Sequence, residues 1–155
     1  MQGLPLDNGL YMPESIPNQS KLVKGISTLN IKDISYVIAK SFLDEDFKNS
    51  DIEEIIDYSI TFDSPLVNIY GNLHILELFH GPTLAFKDIA MQFIGNLYEY
   101  YLSKNNKKIN IVVATSGDTG AAAIDAIRGK SNLNIFVLHP NNRISPVQRK
   151  LMTTV

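Results

Sequence analysis

The sequence predicts an α/β protein in which a parallel sheet with flanking helices follows a small, mainly helical N-terminal region. Three observations predict it. Short apolar runs at 109–114 and 135–138 are separated by a helix-length segment rather than a hairpin turn, which is the alternation of a parallel sheet. Apolar residues recur at helical spacing from Ile31 to Phe42 and again after Ser50. The composition, 45% hydrophobic against 19% charged over 155 residues, supports a substantial core.

Residues 1 to about 26 are punctuated by Pro5, Asn8-Gly9, Pro13 and Pro17, which predicts turns and irregular chain. Tyr11 and Met12 are expected to pin this segment to the body. Ile31, Ile34, Val37, Ile38 and Phe42 fall on one face of a first helix. Ser50 with Glu53 has the form of a capping box before a second, carrying Ile52, Ile55, Ile56 and Ile60. Asp44, Glu45, Asp51, Glu53, Glu54 and Asp57 read as a solvated surface, because a hard-cation loop needs ligands and a sharp turn at fixed offsets. Residues 1–65 are thus expected to form a mainly helical domain and 66–155 the start of an α/β domain.

Within 66–155, strands are expected at 66–70 and 73–79, with Gly71-Asn72 as the tight turn between them. A helix should carry Phe86, Ile89, Phe93, Ile94, Leu97 and Tyr101, and another should follow Gly117. Ser145-Pro146-Val147-Gln148 supplies an N-cap, a proline at the first helical position and a capping glutamine, so a last helix begins there and the chain stops within it. Two parallel strands are too few for a sheet covered on both faces, which predicts a piece of a longer protein.

The formal charge of −2 argues against a partner that is bound by neutralising many phosphates, so neither nucleic acid nor a membrane surface is expected. The absence of cysteine excludes disulfides, thiolate nucleophiles and cysteine zinc sites. No apolar stretch approaches the roughly 20 residues of a membrane span, and no basic-then-apolar leader opens the chain, so a cytoplasmic location is expected.

Lys87 carries the strongest chemical signal. A lysine near a helix start reads by itself as a solvated side chain. Here Phe86 and Ile89 flank it with apolar bulk and Gly81-Pro82-Thr83 fixes a turn before it. Apolar surroundings disfavour the ammonium and make a neutral amine available to attack an aldehyde, as Schiff-base chemistry requires. A second candidate is the run 115–120 between a strand end and a helix start, where open α/β sheets collect ligands and backbone N–H groups face an anion. Ser116, Gly117, Thr119 and Gly120 suit such a nest: glycine permits close approach and the hydroxyls donate. His80 reads as a hydrogen-bonded structural residue beside the motif, and His74 and His139 have less claim on chemistry.

The run His80-Gly81-Pro82-Thr83-Leu84-Ala85-Phe86-Lys87-Asp88 resembles the cofactor-lysine motif of the threonine synthase family, fold-type II enzymes that use pyridoxal 5'-phosphate. Three further runs resemble segments of that family in the same order. They are Leu4-Pro5-Leu6-Asp7-Asn8-Gly9-Leu10-Tyr11-Met12-Pro13, Ala114-Thr115-Ser116-Gly117-Asp118-Thr119-Gly120-Ala121-Ala122 and Arg143-Ile144-Ser145-Pro146-Val147-Gln148. The resemblance covers nearly the whole chain.

It implies that Lys87 is the catalytic lysine that carries pyridoxal phosphate, with Ser116, Gly117, Asp118, Thr119 and Gly120 against the cofactor or the substrate carboxylate. Thr83 and Arg143 are then candidates for substrate binding, the arginine by gripping a phosphate bidentately. Family members often carry asparagine where this chain has Asp118; a carboxylate there would favour a protonated oxygen on the ring, because adjacent negative charges repel. The implied reaction converts O-phospho-L-homoserine and water to L-threonine and phosphate. In such enzymes the cofactor-phosphate loop comes from later sequence, so this chain is expected to be an inactive fragment whose partner is the remainder of its own polypeptide. Two alternatives share these residues: another β- or γ-replacing pyridoxal enzyme such as a threonine dehydratase relative, and a non-catalytic module of the same fold.

Overall fold

The computed structural model describes residues 5–154 of the 155-residue chain. It divides into two compact units, 1–52 and 53–155. Leu4, the first residue of the earliest family-like run, lies outside the described residues.

In the first unit a short helix α1 (Ser20–Gly25) and one turn of tighter helix precede α2 (Ile31–Leu43). The irregular segment expected up to residue 26 therefore ends earlier, at Ser20. Asn18 explains where: its side-chain oxygen accepts from the Ser20 backbone N–H at 2.9 Å and from the Ser20 hydroxyl at 2.6 Å. Helix α2 opens on a full capping box, Asn30 Oδ1 accepting from Asp33 N–H at 3.0 Å while Asp33 Oδ2 accepts from Asn30 N–H at 3.1 Å.

Two expectations fail in this unit. Tyr11 and Met12, expected as anchors, are 62% and 77% exposed. The stripe Ile31, Val37, Ile38 and Phe42 is exposed as well, and Ala39 is the buried position of α2. Helical spacing creates an apolar face, but only a facing element can bury it.

Helix α3 (Asn49–Ser59) crosses the division between the units. Its start is two residues earlier than a Ser50 cap requires. The Ser50 hydroxyl turns to Asp51 Oδ1 at 3.3 Å, and Asp51 Oδ2 reaches back to the Lys48 N–H at 3.4 Å, so the carboxylate takes the capping work.

The second unit continues with a hairpin of β1 (Leu66–Tyr70) and β2 (Leu73–Leu76), antiparallel, with Leu66 opposite Leu76 and Tyr70 opposite Leu73. Gly71 takes φ +53 at the first turn position, the conformation a two-residue hairpin loop demands. Strand β2 stops at Leu76 rather than running to Phe79: Glu77 N–H makes the last bond to Pro65 O, and the partner chain ahead of Pro65 forms no strand.

Helix α4 (Lys87–Lys104), strand β3 (Ile109–Ala114), helix α5 (Asp118–Ile127), strand β4 (Leu133–Leu138) and helix α6 (Pro146–Thr153) follow in alternation. Strands β3 and β4 pair in parallel, Ile109 beside Leu133 through Ala114 beside Leu138. Leu133, two residues earlier than the apolar run implied, is recruited because it completes the core with Leu102 and Ile127, against which Tyr98, Ile109, Ile111 and Ile135 pack. Burying each of these aliphatic side chains is worth about 1.5–3 kcal/mol. The opposite face of the pair is bare: Val112, Phe136 and Leu138 are 65%, 56% and 60% exposed.

Small residues let α4 and α5 approach closely. Ala121, Ala122, Ala123 and Ala126 are buried, and a Cβ on Gly95 would stand 2.8 Å from the Ala126 carbonyl oxygen. Helix α6 begins as expected, with Pro146 first and Ser145 Oγ accepting from Gln148 N–H at 3.2 Å. The chain does not stop inside it; α6 closes at Thr153, the Thr154 N–H bonding Lys150 O at 3.1 Å. Among the described residues no helix is long and apolar enough to cross a membrane.

Candidate functional site

Lys87 is the first residue of α4, half-buried, with Nζ 4.5 Å from the centroid of the Phe86 ring. Of the two apolar neighbours expected to flank it, Phe86 makes this cation–π contact while itself 58% exposed, and Ile89 is half-buried. The segment ahead of the lysine is tightly organised. Asp88 is fully buried and collects three donors: the Thr83 hydroxyl at 2.5 Å, the Thr83 N–H at 2.9 Å and the Ala85 N–H at 3.4 Å. Gly81 lies against the same carboxylate, and a Cβ there would sit 2.5 Å from Asp88 Oδ2.

His80 pairs with Glu77 at 2.6 Å and tilts against the Phe79 ring at 4.7 Å. His74 is held between Asn68 Nδ2 at 3.0 Å and the Asn72 carbonyl at 3.2 Å. Both histidines are engaged in local structure. His139, just beyond β4, keeps a buried Nδ1 with no partner.

The second candidate segment joins β3 to α5. Gly117 N–H bonds Thr115 Oγ1 at 3.2 Å, and Asp118, Thr119 and Gly120 already belong to the first turn of the helix. No side chain caps this turn, and first-turn N–H groups have no partner within their own helix. Gly120 differs from its neighbours: its N–H bonds Gly117 O at 2.9 Å, and it is packed against Thr115 and Met152. Ser116 and Asp118 are exposed. Gln148 from α6 lies over this junction, its Nε2 donating to Asp118 Oδ1 at 3.1 Å and its amide against Gly117. Arg143 is exposed in the turn between β4 and α6, its N–H 3.5 Å from Pro140 O.

The packing of α4 on α5 brings these segments to one level. Gln92 Nε2 donates to Asp125 Oδ2 at 2.7 Å, Lys130 Nζ to Asn96 Oδ1 at 2.6 Å, and Ser131 N–H to Glu99 Oε1 at 3.1 Å. Gln92 meets Asp125 and Gly95 meets Ala126 on α5, and Asn96 and Glu99 meet Lys130 and Ser131 just past its end, so the partners advance together and the two helices run in the same direction. Carried back from Gln92 and Asp125, the offset between them sets Lys87 level with the first turn of α5. Because β3 and β4 are parallel, the turn bearing Arg143 leaves the sheet at the same end as the 115–118 junction.

Lys87, Thr83 and the junction at 116–120 thus share one end of the sheet. A primary amine that is partly accessible, beside a helix start without a side-chain cap, suits a molecule with one reactive carbonyl and anionic arms. Among the described residues no group of three or more His, Asp or Glu side chains is arranged to hold a metal ion. Two residues hold this geometry together whose reach the sequence did not show. Asp88 was visible only as the last letter of a motif, although a carboxylate five residues after Thr83 at a helix start was its signal; Gln148 keeps its capping place, its Oε1 accepting from the Ser145 hydroxyl at 3.2 Å, and in addition reaches Asp118.

Comparison with known proteins fits this arrangement. Residues 1–60 match the family described as the threonine synthase N terminus. Threonine synthase of Saccharomyces cerevisiae is 46% identical over an alignment covering 100% of this chain and 34% of that protein. The structure superposes on yeast threonine synthase with a TM-score of 0.88, covering 99% of this chain and 34% of the other. It superposes on a pyridoxal-phosphate-bound threonine synthase from Brucella melitensis with a TM-score of 0.87 at 39% identity, covering 97% and 34%. The chain spans about a third of the length of the relatives it matches. Along its whole length, then, the chain is similar to the N-terminal third of threonine synthases, and its first 60 residues match that family's N-terminal model.

Proposed function

We propose that this chain is the N-terminal, lysine-bearing part of a pyridoxal-phosphate-dependent threonine synthase that converts O-phospho-L-homoserine and water to L-threonine and phosphate. Residues 66–155 are read as the start of its cofactor-binding domain, after a mainly helical region at 1–65. Pyridoxal phosphate supplies, when bound, an electron sink for carbanions next to the substrate amine. Lys87 Nζ would hold it and would serve as the base and acid that takes and returns protons along the substrate carbons. Ser116, Gly117, Asp118, Thr119 and Gly120 hold the cofactor or the substrate carboxylate through hydroxyl and N–H donors at the start of α5. The Asp118 carboxylate favours a proton on any ring oxygen placed beside it. Arg143 serves the substrate side as a fork for its phosphate, and Thr83, whose hydroxyl and N–H both donate to Asp88, offers that side only the lone pairs of its hydroxyl.

The observation that supports this reading best is the α4–α5 packing offset, which sets Lys87 level with the uncapped start of α5. The bare apolar face of β3 and β4 supports a further layer supplied by the remainder of the polypeptide. On that reading the isolated chain is inactive, and the complete enzyme works in the cytoplasm on a small soluble substrate.

Borohydride reduction of the longest reading frame containing this chain, in the presence of pyridoxal phosphate, should give a single reduced cofactor–lysine adduct, mapped to Lys87. Loss of that adduct together with turnover in Lys87→Ala is expected. An adduct elsewhere, or substantial turnover without Lys87, would refute the assignment.

A further inference from the structure

We propose that Asp88 and Thr83 form a clamp that positions the Lys87 amine, with Thr83 acting through Asp88. The inference rests on the reading of Lys87 as the cofactor lysine and assigns what fixes its aim.

The clamp is built around a single carboxylate. Thr83 commits both of its donors to it, the hydroxyl to Oδ1 at 2.5 Å and the N–H to Oδ2 at 2.9 Å, and Ala85 N–H adds a third at 3.4 Å. Asp88 is fully buried, so these donors replace the water it gives up. The segment closes on it so tightly that only glycine fits at position 81.

Between Thr83 and Ala85 the chain passes through Leu84 at φ +60, a left-handed conformation that is unfavourable for a non-glycine residue. The Leu84 side chain is 74% exposed, so its own packing does not repay that cost. Strain of this kind persists where surrounding contacts over-determine it, and here the contacts are those of Asp88. An ordinary loop could use glycine at 84 and leave the aspartate in water.

What the clamp fixes is the base of the lysine. Lys87 is the first residue of α4, whose N–H has no partner inside the helix, and its neighbour Asp88 is the anchored one. A lysine side chain has many rotamers to lose, so its aim depends on a rigid root. Small errors in the placement of a reacting group carry large penalties in rate.

The test uses the longest reading frame with Thr83→Val, which keeps shape and removes the hydroxyl donor, Thr83→Ser, which restores it, and Asp88→Asn. Each is followed by urea denaturation, by the rate of borohydride trapping at Lys87, and by visible circular dichroism of the bound cofactor, which reports its orientation. At urea concentrations where every variant remains folded, Thr83→Val and Asp88→Asn should slow trapping at Lys87 on the order of tenfold or more and weaken the visible band. Thr83→Ser should return both to wild-type values.

Folded variants with unchanged trapping and an unchanged band would overturn the clamp and leave Asp88 a stabilising residue only. If Asp88→Asn does not fold, the Val and Ser pair at 83 decides. Wild-type protein that gives no adduct at Lys87 would instead sink the functional reading, a failure visible before any variant is compared.

Discussion

Helices α4 and α5 start level with each other, yet their first turns are finished in different ways. Ahead of α4, a buried carboxylate draws the preceding segment inward, and the N–H groups of Thr83 and Ala85 end on it. Ahead of α5 stands a glycine with no side-chain cap, followed by an aspartate whose carboxylate is turned to Gln148. The first arrangement satisfies itself and leaves one long side chain, Lys87, to face outward. The second leaves backbone donors for something that arrives from outside. Hydrogen bonds to a charged acceptor are worth about 1.5–3 kcal/mol each, but burying the carboxylate costs several. The α4 arrangement therefore gains a defined geometry more than it gains stability.

The contrast is broken most severely at Gly81. In Gly81→Ala the new methyl would stand 2.5 Å from Asp88 Oδ2 and 2.6 Å from Asp88 Cβ, atoms held in place by the clamp. We expect a loss of about 2–3 kcal/mol by urea denaturation of the longest reading frame. A loss under about 0.5 kcal/mol would mean that the clamp yields freely. At the α5 start the equivalent change is milder. Gly117→Ala would press on the Gln148 amide, the far end of a flexible side chain that can swing away. About 1 kcal/mol is expected, and Gln148→Ala should remove most of it in a double-mutant cycle. Additive losses would show that the two residues do not touch.

The same contrast explains what the sequence made legible. Alternation of apolar runs with helical spacing announced β3, α5, β4 and α6 within a residue or two, because one local pattern decides each. Lys87 and the junction at 116–120 were visible as candidates through motif and through the strand-to-helix rule. Their equal level was not, since it depends on how Gly95 meets Ala126 and on polar pairs 32 to 34 positions apart. Asp88 was hidden for a related reason: an aspartate in a first helical turn ordinarily faces solvent and the helix dipole, and only the folded segment reveals that it faces inward. Burial was misjudged at Tyr11, Met12 and the α2 stripe, where an apolar pattern specifies a face but not its cover.

The smallest effect belongs to the seam that keeps the two starts level. Lys130 donates from Nζ to Asn96 Oδ1 on α4, and burial lowers its pKa from the usual 10.5, partly opposed by the charge of Glu99. Below its lowered value the lysine is charged in both folded and unfolded chains, and its desolvation weighs against folding. Between that value and 10.5 the unfolded chain holds more protons than the folded one, so stability must rise with pH across the window. Lys130→Gln keeps a donor for Asn96 and has no proton to lose. Urea denaturation of the two proteins from neutral pH toward pH 10.5 should therefore show the wild type gaining on the variant as pH climbs. A constant difference would mean that Lys130 is as well solvated in the folded chain as out of it, and that the seam is held by Gln92–Asp125 and the Glu99 bonds instead.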